Sequence, residues 1–171
     1  MPPPSLRFVG HELVQMDEGL YSWVDIKRFT IEMDGSDEDL LAALLADRQY
    51  RDTYAESYET EPAEQDAPFV HGPYWLHAIQ PTTFQPTDPA SAREKIQKWA
   101  DDPEPPTPAT QALLDGKVFP LLSATALYRL PDLRPDGQHD WGGVVGVMGF
   151  HEFVAIERPA RSLVLIVAAD D

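Results

Sequence analysis

Ser162-Leu163-Val164-Leu165-Ile166-Val167-Ala168-Ala169 is the long unbroken apolar run of this chain, and its reading decides the fold. Eight residues rich in β-branched side chains make a strand. A strand apolar on both faces needs cover on both, so it belongs in the middle of a sheet. Upstream, Gly143-Val144-Val145-Gly146-Val147-Met148-Gly149-Phe150-His151-Glu152-Phe153-Val154-Ala155-Ile156 reads as a second strand, β-branched, aromatic and punctuated by glycine. Glu157-Arg158-Pro159-Ala160-Arg161 between them is polar and carries a proline, which suits a turn. Trp141 to Asp171 is therefore expected to form a β-hairpin that closes the fold.

The rest of the pattern is mixed. Leu6 to Met16 predicts a strand with a bulge at Gly10, Asp17-Glu18-Gly19 a hairpin turn, and Leu20 to Met33 a second strand. In that second strand the apolar phase shifts from Val24 and Ile26 to Phe29, Ile31 and Met33. Either a bulge near Lys27-Arg28 corrects it, or a regular strand has both faces covered. Ser36 is a helix N-cap with Asp39 three residues on, predicting a helix from Asp37 to about Ser57. His71 to Ile79 is a further strand candidate, and Ala90 to Ala100 a short helix. Thr110 to Asp115 predicts one or two helical turns ended by Gly116, and the alternation from Leu122 to Leu130 favours a strand within Val118 to Leu130.

The expected fold is α+β: a mainly antiparallel sheet closed by the C-terminal β-hairpin, with one long and one short helix packed on one face. At 171 residues and 43% hydrophobic content, one core is expected. A single domain of residues 1–171 then carries acidic or proline-rich surface loops at about 59–68 and 101–108.

Charge narrows the partners. Twenty-nine acidic against 13 basic residues give a net charge of −16 and a pI near 4.5. Phosphate-backbone binding rests on clustered Lys and Arg, so no nucleic acid is expected. Anionic membrane surfaces are disfavoured for the same reason, and no apolar run approaches the roughly 18–20 residues of a membrane span. Met1-Pro2-Pro3-Pro4-Ser5 lacks the pattern of a secretory leader, so a cytoplasmic location is expected. The absence of cysteine excludes disulfides, thiolate metal sites and a cysteine nucleophile. Nine arginines against four lysines, 17 prolines and no asparagine fit the coding bias of a high-GC, bacterial genome.

Motifs for chemistry are sparse. His71 and His77 on one strand would lie roughly 20 Å apart, too far for a shared metal. His151 and Glu152 are adjacent and point to opposite faces of a regular strand. His139, Asp140, His77 and His151 would meet only if distant strands brought them together, so no metal and no cofactor are expected. Gly143, Gly146 and Gly149 form neither a P-loop nor a dinucleotide fingerprint. No Gly-x-Ser-x-Gly elbow is present.

Two groups remain as candidates for binding a ligand or partner. Trp141, His151 and Glu152, with His77, mark the glycine-rich arm as a cleft floor. Tyr50, Arg51 and Tyr54 would share the side of the long helix that also carries Asp47, as a tyrosine platform. The expected function is a non-enzymatic protein-binding module, regulatory or immunity-like, with a basic protein partner. The alternatives are a small enzyme or ligand-binding protein with a cleft near Trp141, His151 and Glu152, and an assembly protein forming homo-oligomers through a sheet edge.

Overall fold

The computed structural model describes residues 2–17, 22–54, 69–138 and 149–170. Trp141, the 59–68 loop, and His139 and Asp140 lie outside them. The strands are β1 (Ser5–Gln15), β2 (Ser22–Met33), β3 (Val70–His71), β4 (Tyr74–Trp75), β5 (Gln85–Pro86), β6 (Ala126–Leu130), β7 (Phe150–Glu157) and β8 (Ser162–Asp170). Six of them form one sheet in the order β1-β2-β8-β7-β6-β5, with every neighbouring pair antiparallel. The fold class is the expected one, and the hairpin of β7 and β8 sits at its centre.

The central position of β8 follows from its two apolar faces. Leu163, Leu165, Val167 and Ala169 enter one core, and Val164, Ile166 and Ala168 enter a second on the opposite face. Each fully buried aliphatic side chain of this kind contributes about 1.5–3 kcal/mol. β2 keeps the same alternation from Trp23 to Ile31: Trp23, Phe29 and Ile31 face the first core, Val24 and Ile26 the second. The bulge lies across the hairpin instead, where the register passes from Phe8↔Phe29 to Gly10↔Arg28 and skips Val9. The phase break in the sequence comes from Asp25 and Lys27, two charged residues buried on the same face as Trp23, Phe29 and Ile31.

Helix α1 (Asp37–Ala46) covers the first core with Leu40, Leu41 and Leu44. Helix α2 (Pro89–Ala100) covers the second with Ala92, Ile96, Trp99 and Ala100. The two helices thus lie on opposite faces, not on one, because the central strands are apolar on both sides. Helix α3 (Pro108–Leu113) continues through a π-helical turn, Leu114–Val118, and a 3₁₀ turn, Phe119–Leu122, all on the second face. The stretch expected as strand from Val118 is therefore helical to Leu122. Pro120 opens the 3₁₀ turn, a position that needs no backbone N–H.

Two further departures shape the first face. α1 starts at Ser36 with the expected capping box to Asp39, yet it ends at Ala46 and not near Ser57. Asp47 is extended, and its carboxylate accepts from the Gln49 N–H at 2.8 Å, competing with the helical ladder. A 3₁₀ turn, Arg48–Tyr50, follows instead. Similarly, Tyr74 belongs to the two-stranded ribbon β3–β4, outside the main sheet. Gly72 turns this ribbon at φ +53°, and a Cβ there would stand 2.4 Å from the Phe150 ring. The ribbon is thereby pressed onto β7.

Candidate functional site

The early end of α1 carries Tyr50, Asp52 and Tyr54 over the sheet, and the ribbon adds His71 beside them. These meet Asp25 and Lys27 from β2 and Glu152 from β7. All lie on the first face, since Glu152 is registered with Val167 of β8.

His71 is fully buried and stacks on Tyr50 with ring centroids 3.7 Å apart and planes 2° from parallel. Its Nδ1 lies 2.6 Å from the Tyr50 carbonyl oxygen, and its Nε2 lies 2.5 Å from Glu152 Oε2. A carbonyl only accepts, so Nδ1 is the donor of the first contact. The Tyr50 hydroxyl donates to the other carboxylate oxygen at 2.8 Å. Burial, then the neighbouring charge of Glu152, pushes the Tyr50 phenol well above its ordinary range, so it stays a donor.

Lys27 forms the second node. Its ammonium donates to Asp52 Oδ2 at 2.6 Å, to the Gln49 carbonyl at 2.9 Å and to the Tyr54 hydroxyl at 3.4 Å. Burial works against the Asp52 carboxylate, but the charge and hydrogen bond of Lys27 outweigh it and hold the group below its usual range. Tyr54 stacks on Trp23 at 5.5 Å.

The third node is at the sheet edge. His11 of β1 reaches diagonally to β2, where its Nε2 lies 2.5 Å from Asp25 Oδ2. Asp25 is 4% exposed, and its Oδ1 is the buried side-chain oxygen or nitrogen with no hydrogen-bond partner among the described residues. Burial raises the Asp25 carboxyl above its ordinary value, against the pull of Lys27 and His11.

Of the seven candidates from the sequence, Tyr50, Tyr54 and Glu152 converge here, in packed interior. The helical platform does not form. Arg51 stands outside over the Phe69 ring, 4.4 Å from its centroid. His77 stacks on Trp75 at 6.0 Å in the 3₁₀ turn Leu76–Ala78. His151, registered with Ala168, faces the second core, opposite to Glu152. Burial, then the charges of Lys95 and Arg134, lowers its imidazole to about 4. Trp141 lies outside the described residues.

Asp25, Lys27 and Asp52 were not singled out from the sequence, and His71 was weighed only as a metal ligand too far from His77. The usable signal was two charges, Asp25 and Lys27, at alternate positions on the strand face that otherwise carries Trp23, Phe29 and Ile31. Among the described residues, no group of three or more His, Cys, Asp or Glu side chains is placed to hold a metal ion. A cavity of about 200 Å³ lies elsewhere, on the second face, between Leu121, Ala124, Ala155, Glu157 and Val164, and holds none of the seven. The His71–Glu152–Tyr50 group, sealed from solvent, fastens the ribbon and the post-helix segment to β7.

No helix of the described residues is long and apolar enough to cross a membrane. Comparison with known proteins finds no matching family model, no matching curated protein and no matching solved structure.

Proposed function

We propose that this chain is a non-enzymatic protein-binding module, regulatory or immunity-like, that meets a basic protein partner in the cytoplasm. One observation carries the reading: β1 is an 11-residue strand at the end of the sheet, and no described strand pairs with its outer side. Val9 and Leu13 on it are 56% and 43% exposed. A long edge strand is a ready template for strand addition. The net charge of −16 favours a cationic partner and speeds its encounter. The alternative of a cleft shared by His151 and Glu152 draws no support from side chains on opposite faces of β7.

The test is capture of partners by the immobilised chain at low and at physiological ionic strength. A specific basic protein, retained better at low salt and lost when Val9 is changed to Pro, is the expected result. Return of no specific protein at either salt level refutes the reading.

A second reading, self-association through the same edge, draws on the near-neutral charge of β1, where Arg7 and His11 accompany a single acid, Glu12. Light scattering decides it, since only a concentration-dependent dimer supports the idea.

A further inference from the structure

The polar groups of the first face do not balance. Lys27 is matched by Asp52, and Glu152 is matched by His71 and Tyr50. Among the described residues, Asp25 has a buried oxygen left over, although its other oxygen is held by His11. An unpartnered carboxylate oxygen in the interior is costly, and a donor that reached it would relieve that cost.

The place of Asp25 in the sheet says where that donor comes from. Asp25 is on β2, one strand in from the edge, and is registered directly opposite Leu13 of β1. Leu13 stands on the same face and is 43% exposed. A strand added outside β1 would run about 4.8 Å beyond it. Its residue beside Leu13 would then lie two strand spacings from Asp25, within the span of a Lys or Arg side chain laid over Leu13.

Resting on the protein-binding reading above, we propose that the outer edge of β1 receives an extended basic segment of a partner protein, one of whose Lys or Arg side chains reaches over Leu13 to Asp25. Main-chain hydrogen bonds along β1 supply affinity that is indifferent to sequence, and Asp25 supplies the selection for a cation. His11 fixes the carboxylate in place by holding its other oxygen. A second copy of this chain is the less suited occupant, because it brings another 16 negative charges to the contact.

The probe is a short blocked peptide alternating lysine with valine and threonine, with a glutamine-for-lysine analogue as control. Affinity is read by fluorescence anisotropy and location by amide shifts along β1. The full chain is expected to bind the lysine peptide with shifts confined to β1 and its neighbours. Asp25→Asn keeps the shape and the contact to His11, and should weaken binding at least about tenfold. Leu13→Lys, at an exposed position, should weaken it similarly by offering its own ammonium to Asp25. The glutamine peptide should bind the parent chain and Asp25→Asn alike. If the lysine peptide binds in a salt-sensitive way but equally to parent and Asp25→Asn, the inference falls and the module reading stands on its acidic surface. If nothing binds even at low salt, both fall. A dimer that shields the β1 amides gives the edge to a second copy and overturns the inference.

Discussion

Glu152→Ala is the sharpest probe of what holds the first face together. The substitution removes the carboxylate that accepts from the Tyr50 hydroxyl at 2.8 Å and faces His71 Nε2 at 2.5 Å. Both partners stay buried, because Tyr50 and His71 are fully covered by other side chains. Each orphaned buried polar group costs about 1–3 kcal/mol, and the space left by the lost side chain adds to it. The expected loss is about 4 kcal/mol, a melting temperature lowered by about 8–16 °C for a chain of this size. Glu152→Gln separates hydrogen bonding from charge. The amide oxygen still accepts from Tyr50, and the amide nitrogen donates to Nε2 of a neutral His71 whose Nδ1 keeps its bond to the Tyr50 carbonyl. Its cost should stay below about 1.5 kcal/mol. Guanidinium denaturation followed by circular dichroism, with unchanged slope, measures both. A Glu152→Ala variant within about 1 kcal/mol of the parent would refute the argument from orphaned groups. So would a Gln variant as unstable as Ala, since the charge would then matter more than the bonding.

Three further outcomes are expected. Gly72→Ala places a methyl 2.4 Å from Phe150 at a φ of +53° and should cost about 2 kcal/mol or more; a melting curve that matches the parent contradicts the packing described. The His151 imidazole is lowered from 6.5 to about 4, so the unfolded chain binds its proton more tightly, and stability is lost as pH falls through that interval. The loss is on the order of 3 kcal/mol at most, and His151→Gln should flatten that part of the stability–pH curve. The Asp25 carboxyl is raised, so the folded chain binds its proton more tightly, and stability declines as pH rises from the ordinary carboxylate range through the raised value. Asp25→Asn should remove that decline and leave the protein at least as stable near neutral pH, as denaturant titrations across pH will show.

Much of the site was hidden because its members are ordinary in isolation. His71 is one histidine among five, in a segment whose Gly72 and Pro73 signal only a bend. Tyr50 and Tyr54 were visible as part of an apolar stripe, but a helix continued to Ser57 would have held them in a platform with Arg51. A single competing hydrogen bond, from Gln49 N–H to Asp47, ends the helix and swings both tyrosines over β7 and β2. Glu152 was noticed for its neighbour His151, yet its chemistry lies with residues 81 and 102 positions away in the chain.

Local chemistry was enough for some features. Two-sided apolarity placed Ser162 to Ala169 in the middle of a sheet, Gly10 marked the bulge of β1, and Ser36 with Asp39 marked the start of α1. These depend on neighbours in sequence, through alternation, capping and backbone freedom. Only the tertiary structure decided the rest. It set the helices on opposite faces, because two cores needed cover. It buried Asp25, Lys27, His71 and Glu152, because each charge found a partner brought from far along the chain. It left β1 at the edge, with one oxygen of Asp25 unmatched a single strand inside it. Pairing across long separations has no period and no local signature, so a one-dimensional pattern does not carry it.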